Sequence, residues 1–285
     1  MIKIAAPVTE PGQVKPLCQA GADEIYLGYM PQSWFEKFGD HDSASRRQGK
    51  GNVLTEPDFV EILSLADTIS LPVSLALNVR YTQEQSRALH EMLWLFTENG
   101  GEAVIFSDIT LGLHIAKHFP HLKLYLSLLA VAASAAAVSF YRDIGVSRII
   151  FPRFMSYEHM REISAQFPDV EFEAMAFFNN CRYIDGFCRY IHAVGRAHGC
   201  ALVKEQECVL NDGVMDCGAC NVAELCDAGI NVLKIGGRGF PAELPLNAVR
   251  TLKAALDGEK PKDAYRRAFG TDCHLNCYRT GEYGG

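Results

Sequence analysis

Ten cysteines punctuate the chain, and apart from Cys18 all of them fall between Cys181 and Cys277. Six lie in the single stretch from Phe178 to Cys220: Cys181, Cys188, Cys200, Cys208, Cys217 and Cys220. Thiolates gathered at irregular spacing can hold Zn²⁺ or an iron–sulfur cluster, because both accept four sulfur ligands in tetrahedral array. Cys217-Gly-Ala-Cys220 has the CxxC spacing common to both. A zinc ribbon usually shows two such knuckles and this chain has one, whereas the step from Cys181 to Cys188 suits a cluster-binding loop. Cys18 and Cys226 sit in helical patterns and read as buried thiols. Cys273 and Cys277, four apart, fit a structural role or a ligand or redox pair.

A second group could bind an anion. Asn78, Arg80, Ser107, Asp108, Arg153, Lys234 and Arg238 fall at or just after the ends of β-rich runs. Arg153 and Arg238 are the preferred pair, since a guanidinium fork grips a carboxylate bidentately; Asn78, Asp108 and Lys234 complete the expected substrate site. The competing reading is that some of these residues cap helices or bridge strands. His114 and His118 have the i, i+4 spacing of two ligands on one helix face, but Pro120 ends that helix and a solvated helix tail is expected. No G-x-S-x-G elbow occurs. Cys188 and His192 would be the Cys–His pair of a peptidase, on proximity alone.

The elements that must position these residues follow from composition and periodicity. The 285 residues are 48% hydrophobic and 21% charged, enough apolar material for a folded core and too ordinary for disorder. The net charge of −7 argues against broad nonspecific RNA binding while leaving a local basic cleft possible. The longest apolar stretch, Leu122 to Val138, is too short and too polar to span a membrane. The start, Met1-Ile2-Lys3-Ile4-Ala5-Ala6-Pro7, lacks a signal-peptide layout, so a cytoplasmic protein with metal or redox cysteines is expected rather than a disulfide framework.

Eight apolar runs read as parallel strands: Ile2–Val8, Glu24–Tyr29, Val73–Val79, Ala103–Asp108, Lys123–Ala130, Arg148–Arg153, Glu171–Phe177 and Val232–Arg238. Thr82 opens a capping box that closes at Gln85, and Ser156 precedes another helical pattern. Four helix tails end in glycine before a β run, at Gly21, Gly100, Gly145 and Gly229. Eight strands with interleaved helices predict an α/β fold, a TIM-like (β/α)₈ barrel with a cysteine-rich loop inserted after strand 7. Residues 1–285 then form one barrel domain, with 178–220 as the cysteine-rich insertion and 258–285 as a C-terminal tail. Pro31 to Asn52 is polar, holds His41, Arg46, Arg47 and Lys50, and reads as a long loop on the same face as the insertion.

Here the chain resembles a known family. Ile4-Ala-Ala-Pro-Val and Ala20-Gly-Ala-Asp-Glu-Ile-Tyr-Leu-Gly resemble the first βαβ unit of the collagenase-like peptidase family U32. So do Ser107-Asp108, Leu126-Ser127, Gly145-Val-Ser-Arg-Ile-Ile, and Glu173 placed eight residues before Cys181. Ala228-Gly-Ile-Asn-Val-Leu-Lys-Ile-Gly-Gly-Arg238 is similar to the family's AGVxxxKIEGR signature, with Gly236 in place of its Glu. The resemblance implies a barrel with a [4Fe–4S] cluster, zinc being the alternative. Its ligands would be Cys181 and Cys188, then Cys200 with Cys208 in reserve, then Cys217 with Cys220 as its rival. It also implies a redox enzyme of oxygen-independent hydroxylation, acting on RNA, a quinone precursor or a small molecule, with a prephenate-like anion as a possible substrate. A peptidase, or a noncatalytic iron–sulfur partner of a paralogous heterodimer, is the alternative.

Overall fold

A computed structural model describes residues 2–39, 43–47, 49–177, 185–187 and 217–273. Eight parallel strands close into a barrel in sequence order: β1 (Lys3–Pro7), β2 (Glu24–Leu27), β3 (Val73–Leu77), β4 (Ala103–Phe106), β5 (Lys123–Leu126), β6 (Val146–Ile150), β7 (Glu171–Phe177) and β8 (Val232–Ile235). The ring closes through β1 on β8, with Ile4 opposite Leu233. The helices are α1 (Val14–Ala20), α2 (Gln32–Phe38), α3 (Glu56–Thr68), α4 (Gln83–Glu98), α5 (Ile109–His118), α6 (Ala135–Asp143), α7 (Tyr157–Ser164), α8 (Val222–Asp227), α9 (Glu243–Leu256) and α10 (Pro261–Phe269). Among the described residues, no helix is long and apolar enough to cross a membrane.

Strand alternation sorts the side chains into two layers. On β7, Phe172, Ala174 and Ala176 join the large apolar layer between barrel and helices. Met175 joins a smaller cluster with Tyr26, Ile105, Tyr125 and Ile150. Glu171 and Glu173 share the inward phase of Met175, because successive side chains of a strand point to opposite faces. The four expected helix-to-strand turns form, and Gly21, Gly100, Gly145 and Gly229 all adopt positive φ.

Every helix start read from the sequence is capped. Thr82 accepts from the Gln85 amide and closes its box, and Ser156 accepts from the His159 amide. Thr55, Asp108 and Ser134 cap α3, α5 and α6 in the same way.

Two regions differ from expectation. The stretch read as one long loop, Pro31 to Asn52, contains α2, whose Trp34 is 2% exposed and packs at a tilt against Phe38, ring centroids 4.7 Å apart. The i, i+4 aromatic pair drives burial that the polar composition around it concealed. The C-terminal tail also begins as a helix. Ala264 and Tyr265 of α10 are buried, and Phe269 stacks 4.3 Å from Tyr265 and 6.0 Å from Phe177 at the end of β7.

Candidate functional site

A cavity of about 110 Å³ opens at the C-terminal ends of the strands, where (β/α)₈ proteins place their chemistry. Asn78, Arg153, Lys234 and Arg238 line it, as the sequence led us to expect, together with Arg46 and Arg47. The fifth expected residue, Asp108, is not among the lining residues. One of its oxygens accepts from the Thr110 amide at 2.8 Å and the other from the Tyr81 amide at 3.2 Å, so the carboxylate is spent on holding the start of α5.

The loop that carries Arg46 and Arg47 is tied down through its backbone. Met30 and Val53 extend β2 by hydrogen bonds, and Val53 also donates to the Gly28 carbonyl. Between these points Asn52 Nδ2 donates to the Arg47 carbonyl at 2.6 Å, and Tyr81 donates its hydroxyl to the Ala44 carbonyl at 2.7 Å. Asn78 Oδ1 accepts from the Arg46 amide at 3.0 Å, so Asn78 acts here on the loop. Gly28 is required at this place. A Cβ on it would collide with both Arg238 Nη1 and Asn52 Oδ1.

Arg238 is 6% exposed, and its Nη1 has no hydrogen-bond partner among the described residues. Burial pulls its pKa down to about 10. Its guanidinium lies 5.9 Å from the Tyr26 ring centroid, a contact that offsets only part of the lost hydration. Arg153 is instead held by Asp185, which accepts from its amide at 2.7 Å and pairs with its Nη1. Asp185 belongs to the turn 185–187, where a Cβ on Gly186 would strike the Leu129 carbonyl. That close approach brings one piece of the cysteine-rich stretch against the ends of β5 and β6.

Beneath the cavity the barrel interior is ionic. Lys234 Nζ donates to Glu173 Oε1 at 2.6 Å, and Glu173 Oε2 accepts from Arg148 Nη1 at 3.2 Å. Arg148, 1% exposed, also pairs with Glu24, and its Nη2 donates to Glu171 Oε2 at 2.8 Å. Lys3 completes the chain on Glu171 at 2.6 Å. Three carboxylates thus face three cations. Burial alone would depress the Arg148 pKa, but the hydrogen bond it donates to Glu24 and the charges of Glu173 and Glu24 carry it upward. Burial lowers Lys234 despite Glu173.

The cysteines expected as sulfur ligands divide. Cys181, Cys188, Cys200 and Cys208 lie outside the described residues, as do His192, Arg182, Arg189 and Cys277. Cys217 is 2% exposed and bridges Phe177 at the end of β7. Its thiol hydrogen-bonds with that of Cys273, and that bond, then burial, then the charges of Cys273 and Cys220 push its pKa far up. Cys217 and Cys273 therefore meet beside the strand end, with Cys273 delivered by the segment after α10. As they stand, no three metal-ligating side chains converge among the described residues. The donor chemistry fits a thiophilic metal or cluster, with further sulfur needed from elsewhere in the chain. Cys18 and Cys226, read as buried thiols, are half-buried against the apolar core.

The histidine pair on α5 is not simply solvated. His114 Nε2 lies 3.0 Å from His90 Nδ1 of α4, and the His118 ring stacks 4.5 Å from that of His114. This cluster sits apart from the barrel mouth.

Arg46, Arg47, Tyr26 and Asp185 were not expected as cavity residues, nor the Glu24–Arg148 pair as part of its floor. The available signal was charge at alternate strand positions, as in Glu171 and Glu173. An inward charge needs a partner, and partners from other strands are not visible in one strand's sequence.

The family model described as peptidase family U32 matches residues 10–273. The tRNA hydroxylation protein P of Escherichia coli (strain K12) is 36% identical over 91 residues, covering 32% of this chain and 20% of the relative. The same-named protein of Helicobacter pylori (strain J99) is 25% identical over 187 residues, 66% of this chain and 42% of the relative. The chain thus spans less than half the length of these relatives. Among solved structures, a monomeric phosphoribosylanthranilate isomerase from Thermotoga maritima matches 90% of this chain and 100% of its own. Its TM-score is 0.51 at 8% identity, a likeness of fold alone. A solved U32 peptidase matches 62% of this chain and 69% of its own at 14% identity and a TM-score of 0.48.

Proposed function

The chain belongs to peptidase family U32, and from that membership we propose an enzyme of hydroxylation chemistry that binds a small carboxylate at its barrel mouth beside an iron–sulfur cluster. The observation that carries the reading is Arg238. A buried guanidinium nitrogen with no hydrogen-bond partner among the described residues is costly unless something anionic completes it, and the cavity at its head is lined by further cations. The ligand is of prephenate-like class, a small carboxylate held by Arg238 with Arg153.

Cys217 would hold the cluster at the end of β7, with Cys220 as its rival. Cys181, Cys188 and Cys200 or Cys208 would supply the remaining sulfurs. A bound cluster supplies one-electron chemistry; the chain's own residues hold the carboxylate, exclude water and fix its orientation. The acceptor is an RNA, a quinone precursor or a small molecule. The relatives' name favours tRNA, and the acidic net charge restricts any contact with RNA to the basic mouth. Zinc is the alternative metal, a paralogous chain the partner in the alternative, noncatalytic reading, and the cytoplasm the expected compartment.

Anaerobic purification tests the reading. The expected product is a brown protein with acid-labile sulfide and about four irons per chain. Cells lacking the gene should lose one hydroxylated nucleoside from digested tRNA, restored by the wild-type chain and not by Arg238→Met. A colourless zinc protein overturns the cluster, and unchanged nucleoside profiles overturn tRNA as acceptor.

A further inference from the structure

The floor of the cavity contains an amine that carboxylate binding does not explain. Lys234 is 7% exposed, so it is not a solvated surface charge drawn to the ligand by chance. Its Nζ lies 2.6 Å from Glu173 Oε1 and 3.8 Å from the Tyr26 ring centroid. Arg238 lies against the same ring, 5.9 Å from its centroid, which keeps amine and guanidinium within reach of one small molecule. We propose that Lys234 is a nucleophile that condenses reversibly with the carbonyl of a 2-oxo acid whose carboxylate is held by Arg238. The proposal rests on the carboxylate-binding reading of the cavity and adds a covalent step to it.

Three features support that step. Burial, aided by the charge of Arg148, disfavours the ammonium form and lowers the pKa of Lys234 despite Glu173 and Glu24. Glu173 Oε1 is in place to take the proton, and Arg148 on the other oxygen fixes the carboxylate's orientation. The Tyr26 hydroxyl donates to the Ile235 carbonyl at 2.7 Å, which locks the ring that backs the amine.

The balance of the step is simple. The ammonium gives one proton to Glu173, and the free amine adds to the carbonyl carbon, forming the C–N bond. The carbonyl oxygen takes up two protons, from the nitrogen and from Glu173, and leaves as one water. The third ammonium proton stays on nitrogen, so the product is a protonated imine beside the restored Glu173 carboxylate, and no oxidant or reductant is consumed.

The full chain, treated with sodium pyruvate and then sodium borohydride, tests this. Hydride converts an imine to a stable secondary amine that peptide mapping locates. The expected result is one adduct per chain on Lys234, lost in Lys234→Arg, which keeps the charge beside Glu173. L-Lactate, which has the carboxylate and no carbonyl, should raise the melting temperature and block labelling by pyruvate without leaving an adduct. Pyruvate that raises the melting temperature but leaves no adduct at Lys234 overturns the nucleophile and spares the carboxylate site. Absence of both the shift and the adduct overturns both, and adducts spread over exposed lysines overturn the assignment to Lys234.

Discussion

At the scale of single residues, function and stability pull against each other in Arg238. Its side chain is buried, its Nη1 lacks a partner among the described residues, and burial holds its pKa near 10. Arg238→Met should therefore abolish the pyruvate-induced melting shift while stabilising the unliganded fold by about 1–4 kcal/mol, the range seen when buried ionic groups give way to apolar ones. Chemical denaturation with and without pyruvate reads both effects, and a variant less stable than wild type would show that the guanidinium is compensated. His114 gives a pH signature away from the mouth. Its pKa lies below the ordinary 6.5 because of burial, then the charges of His118, His90 and Lys117. As pH falls through 6.5 the unfolded chain takes the proton first, so stability is full above that value and declines below it. Melting temperatures measured from about pH 7.5 to 5 should fall less steeply in His114→Gln.

At the scale of elements, strand-end polar residues serve two masters, and Asp108 shows which one prevails. Its position after β4 read as a substrate site, yet its oxygens hold the amides of Thr110 and Tyr81. Asp108→Ala should cost about 0.5–2 kcal/mol, as loss of an N-cap does, and leave the pyruvate shift unchanged. A lost shift with intact stability would return Asp108 to the site. The caps of α4 and α7 were legible because a cap is local, one side chain bonding an amide two or three residues on. The arginines of the 43–52 loop were not, because their placement depends on Asn78 and Tyr81 from the next unit. The helix α2 was hidden by the polar residues that follow its aromatic pair.

At the scale of the molecule, the barrel is built around an ionic axis joining β1, β2, β6, β7 and β8. Arg148 is its hub, touching Glu24, Glu171 and Glu173. Removing it should leave Glu24 buried without its cation and Glu173 with Lys234 alone, so Arg148→Met should cost about 3–5 kcal/mol at pH 7. Urea titration of the variant against wild type checks this, and a variant as stable as wild type would show that the attraction within the cluster only offsets its own desolvation.

The amino-acid sequence by itself determined the eight strands, the caps and glycine turns between them, the barrel they close, and the family to which the chain belongs. Those properties depend on alternation, helical spacing and residues a few positions apart, all written along one dimension. Tertiary structure alone decided which charges share the cavity, that Arg153 is held by Asp185 while Arg238 Nη1 has no hydrogen-bond partner among the described residues, that Glu173 faces Lys234, and that Cys273 comes to Cys217. Each of these joins residues separated by tens to hundreds of positions, and the curvature of a closed sheet, rather than any local pattern, brings them within bonding distance.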